Sequence, residues 1–323
     1  MSERRYRVVE RFFRRPTRVT FVDVADVTVL PDGRIVVFCR GPRPILIFDA
    51  DGRYLSGWGQ IHPDWFVQPH ALAVAPDGMF WTVDVGMHVV RQWTPEGRLI
   101  RTIGQPFGPA AEYSGDPFSR PAGVAVSSVG EVFVADGYSN ARVHRFSPEG
   151  ELLGGWGSRG HGPGQFDTVH SVRVDAEDRL YCADRYNNRV QTFLPDGTFL
   201  REWTGLHLPN DAVVGPDGLL YVAEQRNRVS VLEPDAGVVC RFGDEDAVYQ
   251  DEPIGGGLPT SPSWDLRGVV SREPGAGRLT LPHTIAVDAE GSVYVGEVPE
   301  TLAGLDRGDR CLQKFVLQRE DAS

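Results

Sequence analysis

The chain has 323 residues, 41% hydrophobic and 24% charged, the balance of an ordinary folded protein rather than a disordered or fibrous one. Its formal net charge of −11 argues against a phosphate-backbone partner, so no nucleic-acid ligand is expected. No run approaches the roughly 18 apolar residues of a membrane span, and residues 1–15 hold no apolar stretch of signal-peptide length, so the expectation is a cytoplasmic protein with no membrane association.

In chain order, the segment from Tyr6 to Phe12 belongs to no repeat of its own. It is expected to supply the outer strand of the last repeat, which closes a ring and removes an exposed sheet edge. From Ala25 onward one unit recurs: an apolar run, a polar turn usually ending in Gly, a second run rich in β-branched and aromatic residues, an acidic position, a loop, a third run, a Pro-x-Gly turn and a fourth run. The first copy has its turn at Gly33. The second, PHALAVAPDGMFWTVDVGMHVVRQWTPEGRLIRTIG from Pro69, and the third, PAGVAVSSVGEVFVADGYSNARVHRFSPEGELLGGWG from Pro121, are alike by eye. Further copies open near His170, Asn210 and His283, with turns at Asp178, Gly218 and Gly291. Four short strands in every ~40–50 residues is the pattern of a propeller blade. The expected fold is therefore all-β, one six-bladed β-propeller domain over residues 1–323. The longer interval before the last copy marks an insertion at about 243–278, rich in Gly, Pro and acidic residues, expected to form a loop or lid over one face. The cysteines, Cys39, Cys182, Cys240 and Cys311, show no C-x-x-C pair and are expected to be reduced thiols.

In a blade, strand one lies nearest the axis and strand two returns antiparallel to it, so the start of one and the end of the other share a face. Eight residues before each turn stand Ala25, His70, Ala122, His170, Asn210 and His283, with histidine in alternate blades. For a chain with 8 histidines the chance of this is roughly 10⁻³, even with free choice of repeat column. A single inner-strand histidine is most simply a satisfied core residue. Three related by a threefold axis face one another lone pair to lone pair, and a proton or a metal is needed between them. Three neutral imidazoles with a fourth position open match a catalytic zinc; iron, copper and cobalt also accept nitrogen donors.

Just after strand two an acid recurs in five of six blades, Asp84, Asp136, Asp184, Glu224 and Glu297, and so regular an acid is expected to be structural. Arg40, Tyr138 and Arg185 break the repeat on the histidine face. Two guanidiniums can clamp a carboxylate or an amide carbonyl, and a phenol beside a dication loses its proton more readily than in water. The plainer alternative is that they are solvated loop residues.

These segments resemble the NHL-repeat propellers and, among them, the peptidyl-α-hydroxyglycine α-amidating lyases. The resemblance covers nearly all of residues 27–316. It rests on Phe38-Cys39-Arg40-Gly41, Pro69-His70-Ala71-Leu72 with Trp81-Thr82-Val83-Asp84-Val85, Asp136-Gly137-Tyr138-Ser139-Asn140-Ala141-Arg142, Gly164-Gln165-Phe166 leading to His170-Ser171, Ala183-Asp184-Arg185, and Leu281-Pro282-His283. It implies a zinc on His70, His170 and His283, Tyr138 as general base, and Arg40 and Arg185 as residues that orient the acid and stabilise developing charge. The family's reaction cleaves the C–N bond of a hydroxylated glycine, releasing an amide and glyoxylate. Leu281 replaces a methionine of the substrate pocket wall, and Thr284 replaces an acidic calcium ligand. Val27 and Leu72 keep the matching backbone carbonyls, but loss of the charged ligand weakens the case for the family's structural calcium. Ser139 replaces a disulfide cysteine, in keeping with a reducing compartment. No copper monooxygenase segment accompanies the repeats, which argues against peptide amidation as the role. The expected function is a metal-dependent lyase acting on a small α-hydroxylated carboxylate or carbinolamide. The same three histidines also suit a hydrolase or hydratase that activates water. A non-catalytic NHL module binding a protein partner is the third reading, and it leaves the alternate-blade histidines unexplained.

Overall fold

The computed structural model describes residues 4–235, 237–243 and 275–318, so most of the expected insertion, residues 244–274, lies outside the described residues. Its strands form six four-stranded antiparallel sheets. Strand β1 (Tyr6–Val8) comes first, followed by blade one, β2 to β5 (Val24–Val29, Ile35–Cys39, Ile45–Phe48, Tyr54–Trp58). Blade two is β6 to β9 (Pro69–Val74, Phe80–Asp84, Val89–Trp93, Leu99–Ile103), and blade three is β10 to β13 (Gly123–Val126, Val132–Asp136, Arg142–Phe146, Leu152–Trp156). Blade four is β14 to β17 (Val169–Val174, Leu180–Asp184, Arg189–Phe193, Phe199–Trp203), and blade five is β18 to β21 (Pro209–Val214, Leu220–Glu224, Arg228–Glu233, Gly237–Phe242). Blade six is β22 to β24 (Pro282–Val287, Val293–Glu297, Leu312–Leu317) completed by β1. The fold is the expected six-bladed propeller.

The ring closes as expected. Strand β1 pairs antiparallel with β24, Tyr6 opposite Leu317 and Val8 opposite Phe315. The Tyr6 ring also stacks on Phe242 at 4.5 Å, and its hydroxyl meets that of Tyr221 at 3.0 Å, so the closing strand packs against blade five as well. Strand two of every blade is buried along its whole length. Such strands read as continuous apolar runs because both sheet faces are covered, whereas the outermost strands are largely exposed. The core therefore lies between blades, as where Phe38, Phe66, Leu72 and Trp93 join the first to the second.

One irregularity repeats and positions the site. At the start of strand one the pairing slips by a residue between Val24 and Asp26, Pro69 and Ala71, Val169 and Ser171, Pro209 and Asp211, and Pro282 and Thr284. The unpaired residue is Ala25, His70, His170, Asn210 or His283. In blade three the amide of Ala122 donates to the carbonyl of Ala135, which itself lies opposite Gly123. A bulge interrupts the alternation of side chains across a strand. Each column residue and its successor consequently both face the axis, where His283 and Thr284, or Asn210 and Asp211, line one narrow cavity of about 10 Å³. All four cysteines are unpaired. Among the described residues no helix is long and apolar enough to cross a membrane.

Candidate active site

His70, His170 and His283 converge at the axis, buried, with their candidate ligand nitrogens all within 4.8 Å of one another. Each ring is held from behind by the carbonyl of the column residue in the next blade. Nδ1 of His70 meets the oxygen of Ala122 at 2.6 Å, that of His170 meets Asn210 at 2.8 Å, and that of His283 meets Ala25 at 2.8 Å. A carbonyl only accepts, so Nδ1 carries the hydrogen and Nε2 presents a lone pair. Burial, together with like charge from neighbours that include Arg185, holds all three imidazoles below the ordinary histidine range, His283 down to about 3. They are neutral at pH 7.

The Tyr138 hydroxyl lies 2.9 Å from Nε2 of His70 and 3.0 Å from Nε2 of His170. It has one proton to donate and two acceptors to serve. A cation among the three Nε2 atoms would remove that shortage, so the three histidines fit as nitrogen ligands of a metal ion. Tyr138 follows β11 in a loop that Gly137 brings against the backbone of the histidine-bearing strand β14. A Cβ at Gly137 would lie 1.8 Å from the Val169 carbonyl oxygen, so no larger residue is admitted there.

Arg40 follows β3 and Arg185 follows β15 on the same face as Tyr138, Arg185 buried and Arg40 partly so. Arg40 donates through Nε to the carbonyl of Pro69 at 3.2 Å and has Asp23 3.6 Å from Nη1. Burial pulls Arg40 below the usual arginine range, an effect partly offset by Asp23. Arg185 lies over the rings of Tyr138 and Tyr186, at 5.2 and 4.7 Å, and reaches the Asn210 side-chain oxygen at 3.4 Å. Its buried Nε has no partner among the described residues. The expected trio is thus brought together with the histidines. Arg120, which the repeat pattern does not single out, lies 5.3 Å over the Tyr138 ring from the loop before β10.

Leu281 is fully buried just before β22; its amide donates to Asn227 and its carbonyl accepts from Val298. Val27 and Leu72 lie further along the same axis, where the amide of Val27 and that of Leu72 both donate to Asp26. The recurrent acids are structural anchors, as expected. Asp84 accepts from the amides of Val67, Gln68 and Met87, Asp136 from Ser119 and Asn140, Asp184 from Asp167 and Arg189, and Glu224 from Arg228. The first three tie the loop before strand one to the end of strand two.

A model of the NHL repeat matches residues 118–146. The chain is 31% identical over 284 residues to the peptidylglycine alpha-amidating monooxygenase of Rattus norvegicus, across 82% of this chain and 26% of that protein. It is 32% identical over 277 residues to the peptidyl-alpha-hydroxyglycine alpha-amidating lyase 1 of Drosophila melanogaster, across 80% of this chain and 48% of that one. It therefore spans about a quarter of the first relative and about half of the second. Among solved structures, a streptogramin B lyase superposes with a TM-score of 0.58 at 14% identity, covering 98% of this chain and 97% of that one, a likeness of fold.

Proposed function

We propose that this chain, an NHL-repeat six-bladed β-propeller resembling the amidating lyases, is a metal-dependent lyase that breaks the C–N bond of a small α-hydroxylated carboxylate or carbinolamide. The observation that carries the reading is the set of three neutral imidazoles whose Nε2 lone pairs have a single tyrosine proton to share, beside two guanidiniums. His70, His170 and His283 would hold the metal, for which zinc is the leading candidate, and it would supply Lewis acidity toward a substrate oxygen.

The remaining chemistry falls to the chain's own residues. Tyr138, as its phenolate, takes the proton of the substrate hydroxyl at its oxygen. The freed electron pair forms a carbonyl, the C–N bond breaks, and its pair leaves on nitrogen, which takes that same proton back from the Tyr138 hydroxyl. For a hydroxyglycine substrate the products are an amide and glyoxylate, and no water is consumed. Arg185 keeps an unpartnered donor, and Arg40 has its carboxylate neighbour only at 3.6 Å, so both retain capacity to bind and orient the substrate carboxylate.

Two measurements test this. Untagged protein should carry close to one equivalent of transition metal; less than about half an equivalent, unrestored by added zinc, would remove the metal from the reading. With α-hydroxyhippurate in ¹⁸O-water, unlabelled benzamide is expected. Labelled benzoate would instead mark hydrolysis by the same histidines.

A further inference from the structure

Beyond the histidines the axis carries a second charged cluster, which the proposed chemistry does not use. Arg173, on β14, sends a partly buried guanidinium into it. Its Nη2 donates to Asp26 at 2.6 Å, to Asp211 at 2.5 Å and to the Thr284 hydroxyl at 3.3 Å, while Nε donates to the other Asp211 oxygen at 2.9 Å and Nη1 to the Leu72 carbonyl at 3.4 Å. Thr284 in turn donates to Asp26 at 2.8 Å. The acceptors come from blades one, two, five and six, and the guanidinium from blade four.

Two carboxylates, a hydroxyl and a backbone carbonyl around one point form the donor set of a hard divalent cation. The residues do not fit one here. A guanidinium already occupies the centre, and a dication in contact with it would meet like charge in a buried setting. Val27, whose carbonyl the resemblance assigns to calcium, joins this cluster through its amide, which donates to Asp26 and Thr284. We propose that Arg173 is a built-in cation that takes the place of a structural calcium and joins five of the six blades at the axis, so that the fold and the histidine plane need no calcium.

The test compares thermal melting and calcium titration in calcium-depleted buffer and in buffer with added calcium chloride. The wild-type protein should melt at the same temperature in both and bind no calcium at this site. Arg173→Ala leaves Asp26 and Asp211 facing an emptied centre. It should melt about 10 °C lower without calcium, recover much of the loss when calcium is added, and bind about one equivalent; adding Asp211→Asn should abolish the recovery. A folded Arg173→Ala with no calcium response would overturn the proposal. So would a wild-type protein that binds calcium and melts higher with it, provided Asp211→Asn removes the effect. The wild-type titration decides alone if the variant does not fold.

Discussion

Two centres for positive charge share the propeller axis, built from neighbouring residues of the same inner strands, and they are completed in opposite ways. At the histidine plane every Nδ1 is satisfied from behind by a carbonyl, while the Nε2 lone pairs in front have one tyrosine proton to share. At the neighbouring cluster, Arg173 supplies the positive charge from within the chain and Asp26, Asp211, Thr284 and Leu72 close around it. A centre made for a guest is recognised by unmet acceptor capacity on a rigidly held frame. A centre that is purely architectural brings its own counter-charge. Rigidity is common to both, and only the balance of donors and acceptors separates them.

The comparison breaks if removing a residue from the open centre leaves chemistry intact. His170→Ala should lose the metal and all measurable turnover while keeping its melting temperature within a few degrees, read by metal analysis and calorimetry beside the activity assay. Tyr138→Phe should keep both metal and fold and lose about 10²–10⁴-fold in kcat; a wild-type rate would take the tyrosine out of the mechanism. Asn210→Ala sharpens the picture further. Its backbone carbonyl still holds His170, but the side chain that contacts Arg185 and donates to the Pro282 carbonyl is gone. Turnover should fall about 10-fold with the metal retained, and metal loss would show that the side chain serves the ligands instead.

The open centre was largely legible in the sequence and the closed one was not, for a physical reason. His70, His170 and His283 share a repeat column, so period alone aligned them, and the return of strand two placed Arg40, Tyr138 and Arg185 nearby. Arg173 belongs to no repeated column. Its partners Asp26, Asp211 and Thr284 follow the column by one position, where regular alternation sends a side chain away from the axis; the bulge turns them toward it. Nothing in the one-dimensional pattern announces that bulge. Arg120 is not marked by the repeat because it approaches Tyr138 from a loop outside it. The N-terminal strand was legible from the missing fourth strand of blade six, as edge closure requires.

Neither centre should govern how the fold responds to alkali, and this sets the smallest expected effect. Burial pushes the Cys39 thiol up to about 11 from an ordinary 9.0. Between those values the unfolded chain gives up a proton that the folded chain keeps, so the folded state binds more protons and stability falls as pH rises. For Cys39 the loss at pH 10 is roughly 1 kcal/mol. Cys311, pushed to about 12, acts in the same direction. Denaturant midpoints at pH 7.5 and pH 10 should therefore show a fall in stability that is equal in wild type and His170→Ala and smaller in Cys39→Ala by about that amount. An unchanged fall in Cys39→Ala would mean that this thiol ionises freely in the folded protein. A fall confined to the wild type would mean that the open centre, not the blade interior, sets the alkaline limit, which would join the two halves of the axis more closely than their geometry suggests.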